Sequence, residues 1–479
     1  MSDIAEIPVD EQERPLPPPP PPIRSVLTEG PILRTLLSLA WPNAIGLSAG
    51  ICVVIAETSY VGRLGVEALA AMALVFPTII LTMTMSGGAM GGAVASAIAR
   101  ALGAGNRERA GILAVHAMLI GISFGLVFML GMLIFGPRLL EMLGGRGDVL
   151  THAIAYTQVF FGGAVLPWLL NTMAGILRGT GNMKLPSFLI LNSAAWQIVL
   201  GGTLGLGLGP VPQFGMRGVA AGALIAYTMN IGIMAWYLFS GRARITLKLR
   251  GLRIQWAMFF DILKVGAIAC FSPLQSVLTI SIFTHMLAQF GTAILAGYGV
   301  GARLEFLLTS IAFSFGIACV PMVGMAIGAG RIARARRIAW TASVAAFVAV
   351  GAPACLVAIF PDLWVNMFTD SVEVREASHQ YLSTVGPFYA FFGLATTMYF
   401  SSQGAAKVIG PVLAQTARLI YIAGMGWWLS RHGASAQSFF WLAASSMVVL
   451  GLLSCSSVVL TRWGPRSERL TFRSHAADC

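Results

Sequence analysis

Apolar runs broken by glycine, proline and clusters of charge recur along most of the chain. They predict twelve helices, near 34–60, 68–97, 110–135, 152–176, 185–208, 216–239, 259–288, 293–326, 338–360, 378–401, 409–430 and 437–461. Each run approaches or exceeds the roughly 20 apolar residues that a helix needs to cross a bilayer.

The predicted spans fall into two sets of six, and the sets repeat at a shift of 225 residues. Gly103-Ala104-Gly105 matches Gly328-Ala329-Gly330, Tyr156 matches Tyr381, Thr172-Met173 matches Thr397-Met398, and Gly179 and Pro186 match Gly404 and Pro411. Upstream the shift becomes 226, where Gly65 and Leu69-Ala70 match Gly291 and Leu295-Ala296. One register held over so long a stretch is not chance. Six spans per repeat is an even number, so both halves share one orientation and are related by an axis along the membrane normal, with a cavity between them. The expected fold is therefore an all-α integral membrane protein of about twelve transmembrane helices in two pseudo-symmetric six-helix bundles. Its expected parts are a tail (1–30), a first lobe (31–240), a basic linker (241–257), a second lobe (258–462) and a second tail (463–479).

Composition agrees: 57% of the 479 residues are apolar and 10% charged, against roughly 25% charged in soluble domains. The 54 glycines suit closely packed helices. A net charge of +12 invites a nucleic-acid reading, but its distribution argues against one. Of the 31 Lys and Arg residues, 23 fall in the tails, in the loops after even-numbered spans or at the helix starts beside them, and six follow odd-numbered spans. Under the positive-inside rule both termini lie in the cytoplasm, and the Arg242–Arg253 cluster faces anionic headgroups. Arginine outnumbers lysine 27 to 4, as in GC-rich bacteria, so the expected location is a bacterial inner membrane.

The first 30 residues are acidic and then proline-rich, unbroken from Pro17 to Pro22, and read as a disordered or polyproline tail rather than a signal peptide. The six cysteines are scattered without metal-ligand spacing, and no HExxH, GxSxG or paired catalytic acids occur. We therefore expect no enzyme, no cofactor and no bound metal beyond a coupling ion.

Ionisable residues inside spans cost about 2.5–3.5 kcal/mol on insertion scales and mark functional sites. Glu57 and Glu305 are the two acids that qualify, while Asp261 starts its span and reads as interfacial. A carboxylate in a cavity can hold a proton or Na⁺, or a substrate, but not both, which is the requirement for antiport. For Glu57 the alternative is a boundary position reaching water, since Arg63 is about 9 Å further along the helix. For Glu305 the alternative is an ion pair locking two helices; Arg303, two residues away, faces elsewhere. Neither acid has a copy in the other half, so the halves are specialised. Asn192 and Gln197 are candidates to complete a polar pocket with Glu57, and Gln275 to face the cavity, or else these amides bond across helices. His116 and His285 read as packed or interfacial, and the Met and Phe residues as mostly lipid-facing or core.

Several stretches resemble the multidrug and toxic compound extrusion (MATE) family. Ala56-Glu57-Thr58-Ser59-Tyr60-Val61-Gly62-Arg63-Leu64-Gly65 resembles the end of its first helix. Gly103-Ala104-Gly105-Asn106 and its copy at Gly328 resemble the loops after helices 2 and 8, and Leu177-Arg178-Gly179-Thr180-Gly181 with Pro186 the loop after helix 4. The resemblance spans about residues 30–460 and implies two lobes in a V. It also implies export of organic, often cationic, compounds driven by H⁺ or Na⁺, with Na⁺ binding at Glu57 one option. Glu57 stands where the family commonly has Asp, Trp196 replaces the Asp of an Asn-x-x-x-Asp pair begun by Asn192, and Gln275 and Ser276 occupy about the place of a helix-7 carboxylate. Arg303-Leu304-Glu305 resembles a motif of one bacterial branch. The expected partners are a small-molecule substrate and membrane lipids, with the protein acting as a monomer. A flippase for a lipid-linked sugar or other lipid is the alternative, the lipid-linked sugar flippases sharing the fold that the resemblance implies; it predicts a strongly basic cavity, whereas only Arg303 and Arg418 fall well inside the predicted spans rather than at their cytoplasmic or outer ends.

Overall fold

The computed structural model describes residues 26–245, 247 and 254–464. Most of the proline-rich tail, the linker residues Lys248, Arg250 and Arg253, and the last fifteen residues lie outside the described residues.

Among the described residues, besides the short turns of helix Val26–Glu29 and Asp362–Val365, twelve long helical segments follow in order: α1 (Ile32–Gly62), α2 (Val66–Gly103), α3 (Arg107–Met142), α4 (Gly147–Gly162 and Val165–Gly179), α5 (Lys184–Leu206), α6 (Gly215–Phe239), α7 (Trp256–Ala288), α8 (Thr292–Gly328), α9 (Ile332–Ile359), α10 (Val372–Val385 and Tyr389–Gly404), α11 (Ile409–Arg431) and α12 (Ala436–Leu460). Among the described residues nine are long and apolar enough to cross a membrane, and the two pieces of α4, bent by 47°, make a tenth. The polar start of α10, Val372-Glu373-Val374-Arg375-Glu376, and Gln415 with Arg418 in α11 dilute the remaining two. Backbone bonding within each helix lets so apolar a chain sit in lipid without orphaned amides.

The repeat is visible in the packing. Where α2 crosses α8, Ala99 meets Gly324, its own copy 225 residues on, so the pseudo-twofold axis passes between them. On either side, Gly103 lies against the Met325 carbonyl and Gly328 against the Arg100 carbonyl, again a symmetric pair of contacts. Within the bundles, Gly179 packs on the Ala95 carbonyl as Gly404 packs on the Val320 carbonyl, each 2.8 Å from where a Cβ would stand. Glycine at these four positions lets backbones approach as no side chain would.

The turns repeat as well. Asn106 N donates to Ala101 O (3.0 Å) around left-handed Gly105, and Arg331 N to Ala326 O (2.8 Å) around left-handed Gly330. Gly181 takes the same conformation after α4, but its copy after α10 is Ala406, at φ 56°. An L residue in that region costs about 1–2 kcal/mol, partly offset because glycine loses more freedom on folding. Ala406→Gly should therefore stabilise the purified protein by about 0.5–1 kcal/mol, read as a rise in melting temperature.

The bundles are tied together at the end that carries the basic loops. Ser96 Oγ donates to the carbonyls of Gln403 (2.6 Å) and Gly404 (3.0 Å), and Gln403 Nε2 donates to Ala89 O (2.8 Å). Arg331 donates to Thr28 O and pairs with Glu29, and Arg334 donates to Gly30 O (2.6 Å). The first piece of α7, Trp256–Ala269, packs on α2 and α3. There Asp261 pairs with Arg100 and Arg109, both at 3.0 Å, and with Lys264 at 2.9 Å. His116 Nε2 accepts from Gln255 N (3.0 Å) in the same contact. Past the break at Cys270, Phe271–Ala288 pairs with α11 instead.

Candidate functional site

A cavity of about 360 Å³ opens among α1, α2, α4, α5 and α6 of the first bundle and is closed on one side by α8 of the second. Small residues hollow it out: Gly46 and Gly50 on α1, and Gly87 and Gly88 in a π-helical turn, Thr84–Met90, within α2. Such turns break the regular ladder and often mark functional sites. Phe76, Tyr156, Phe160, Phe306 and Phe313 give the walls an aromatic character.

Glu57 lies on this wall and is 6% exposed, so it does not reach bulk water at the helix end. Its Oε1 accepts from Gln197 Nε2 of α5 at 2.8 Å, and among the described residues it has no cationic partner. Tyr60, Tyr156 and Tyr227 stand close enough to feel its charge. A carboxylate with one amide donor retains acceptor sites for a proton or a metal cation.

At the other end of the cavity is Arg178, which closes α4 and is 5% exposed. Among the described residues it forms no ion pair, and its Nε is buried with no hydrogen-bond partner. The predicted fourth span ends at residue 176 and the resemblance puts Arg178 in the loop after it, whereas the helix runs to Gly179. The count of arginines inside spans thus omitted one on the cavity wall. The Leu177-Arg178-Gly179 motif was the available signal. Asn171, which also lines the cavity and donates to Ser86 Oγ (2.9 Å), stood out in no pattern.

Glu305 is on the neighbouring face of α8 from the cavity-lining Phe306, Thr309 and Ser310. It belongs to a separate cluster in the second bundle: Tyr389 donates to its Oε2 at 3.4 Å, the Tyr381 and Tyr389 hydroxyls are 3.2 Å apart, and the charge of buried Arg418 acts on it. Arg418, rather than Arg303, is thus the arginine whose charge acts on Glu305, without an ion pair between the two among the described residues, and its Nε donates to Ser446 Oγ. Arg303 is exposed, its guanidinium 4.8 Å from the Phe368 ring centroid.

The other candidates lie apart from the cavity. Asn192 Nδ2 donates to Asn230 Oδ1 of α6 (3.0 Å), a bond between helices. Gln275 donates to Thr416 Oγ1 (2.6 Å) while Gln415 donates to Ser276 Oγ (2.8 Å), a reciprocal clasp between α7 and α11. His285 is exposed. Of the six residues singled out, the structure brings Glu57 and Gln197 together at the cavity.

The MatE family model matches the chain twice, over residues 44–203 and 269–427, with starts 225 residues apart as in the internal repeat. The chain belongs to this family of multidrug efflux transporters. It is 27% identical over 320 residues to an FAD transporter of Shewanella oneidensis, a match covering 66% of this chain and 69% of the relative. It is 26% identical over 450 residues to a probable multidrug resistance protein NorM of Deinococcus radiodurans, covering 88% and 94%. Among solved structures, a MOP superfamily transporter from Pyrococcus furiosus, described as having a binding pocket of reverse polarity, aligns with TM-score 0.84 at 22% identity over 91% of this chain and 97% of that one. An outward-facing multidrug resistance MATE transporter aligns with TM-score 0.82 at 23% identity, covering 90% and 96%. These likenesses fix the fold.

Proposed function

We propose that the protein is a cation-coupled antiporter that exports small organic compounds across the bacterial inner membrane by alternating access, acting as a monomer with both termini in the cytoplasm. The observation that carries this reading is Glu57: a buried acid with no cationic partner, in a cavity large enough for an organic molecule, hydrogen-bonded to Gln197. H⁺ or Na⁺ at Glu57 excludes the substrate group that would otherwise sit there, since the same carboxylate oxygens would bind either. The contacts from Ala99 to Gly328 and the Asp261 network seal the basic, cytoplasmic end, so this conformation is the one that releases substrate outward. Glu305 is the second coupling candidate; its Tyr389 bond and the Arg418 charge keep it engaged within the second bundle, so its replacement should slow transport less than that of Glu57. A lipid-linked sugar flippase fits less well, because the cavity wall carries one arginine and one glutamate rather than a basic field.

Reconstituted in liposomes, the protein should move ethidium or riboflavin 5′-phosphate against its gradient when an opposing proton or sodium gradient is imposed. Movement of neither probe above protein-free liposomes, under either gradient, would overturn the reading.

A further inference from the structure

We infer that Arg178 is an anion subsite, and that the cavity takes aromatic compounds carrying an anionic group, a phosphate or carboxylate, at one end. This deepens the exporter reading and rests on it. Four observations support the assignment. Arg178 lines the main cavity and also the small void beneath it, bounded by Gly87, Gly91, Gly92 and Phe400, so it forms the floor between the open cavity and the sealed end. It is 5% exposed and forms no ion pair or hydrogen bond among the described residues, although a buried cation left alone is strongly disfavoured. The side chains that line the void with it, Ala95, Ile317, Val320 and Phe400, are apolar and give its donors no acceptor. Its copy in the second bundle, 225 residues on, is Gln403, so the charge belongs to one half alone and is no requirement of the repeated fold.

An always-charged planar guanidinium with free donors is the side chain best suited to a carboxylate or phosphate. The opposite end of the cavity is set by Glu57, an acceptor. About 16 Å of helix rise separates the cavity-lining Gly46 from Glu57 on α1. A substrate that places its anionic group on Arg178 therefore presents a hydrogen-bond donor or a positive charge to Glu57, with its aromatic body against Phe160 and Phe313. Such a molecule occupies both ends, so it still competes with the coupling ion at Glu57. A simple cation would meet Arg178 unrelieved.

Riboflavin 5′-phosphate and riboflavin share a ring system with an imide N–H and differ in the phosphate. Binding of each to the purified full-length protein is read from flavin fluorescence. The wild type should hold the phosphate ester at least tenfold more tightly, about 1.4 kcal/mol. Arg178→Gln should bring the ratio near one, and Arg178→Lys should keep part of the preference. Equal affinities in the wild type, or an unchanged ratio in Arg178→Gln, would overturn the subsite. The wild-type ratio decides even if the Gln variant fails to fold. Because binding needs no gradient, the two readings separate: gradient-driven export with equal affinities leaves the exporter standing and removes the subsite.

Discussion

Glu57→Gln should reduce gradient-driven transport to the level of protein-free liposomes while leaving a folded protein. Glutamine is nearly isosteric with glutamate, and its amide oxygen can still accept from Gln197 Nε2, the 2.8 Å bond that positions the side chain. What it lacks is the ability to exchange a proton or neutralise a bound Na⁺. It mimics the ion-loaded state permanently, so substrate should bind weakly and imposed gradients should have nothing to act on. Glu57→Asp keeps the ionisable group but retracts it by one methylene from Gln197, so reduced but measurable transport is expected. Equal efflux from wild type and Glu57→Gln would place the coupling elsewhere, with Glu305 next in line.

Gly103→Ala or Gly328→Ala should disrupt the seal between the bundles more than any other single-methyl change there. Each new Cβ would fall on a backbone carbonyl, of Met325 or of Arg100, and a carbonyl in a packed helix cannot rotate away as a side chain can. Overpacking of this kind costs about 1–3 kcal/mol. Because the contacts close the basic end, the cost falls on this conformation and not on one in which α2 and α8 have parted there. A shift of 1.4 kcal/mol changes the ratio of the two states about tenfold. In a variant without native cysteines, Ala99→Cys on the pseudo-twofold axis should react with an impermeant maleimide added from the basic side. Its labelling should rise by roughly that factor when Gly103→Ala is added. Unchanged labelling would show that the crossing is not the seal.

Most of the fold was legible in the chain because lipid imposes one simple rule, a long apolar helix per crossing. All twelve predicted helices are present. The repeat was legible because glycines at close approaches and left-handed turns are fixed by geometry: Gly103, Gly328, Gly179 and Gly404 each face a carbonyl. Breaks within helices were not legible. The π turn at Thr84–Met90 and the division of α7 at Cys270 depend on packing between bundles, and α7 changes partner at its break. The site was legible where its signal was an unaccompanied acid, as at Glu57. It was obscured where amides were concerned, since Gln197, Asn192 and Gln275 look alike in a sequence, yet one meets Glu57 and two bond across helices. Arg178 was hidden because a charge at the end of an apolar run reads as the start of a loop, whereas the helix continues to Gly179 and keeps Arg178 on the cavity wall.

The central claim is that coupling ion and substrate exclude one another at Glu57. Its most direct test is ion release on substrate binding, with no membrane gradient present. The purified protein in weakly buffered detergent is mixed with the transported probe, while a pH dye records protons and a second sample preloaded with radioactive sodium records displaced Na⁺. The account predicts that the wild type releases one or other ion as substrate binds and that Glu57→Gln releases neither. Binding without ion release in the wild type, or the same release from Glu57→Gln, would contradict it.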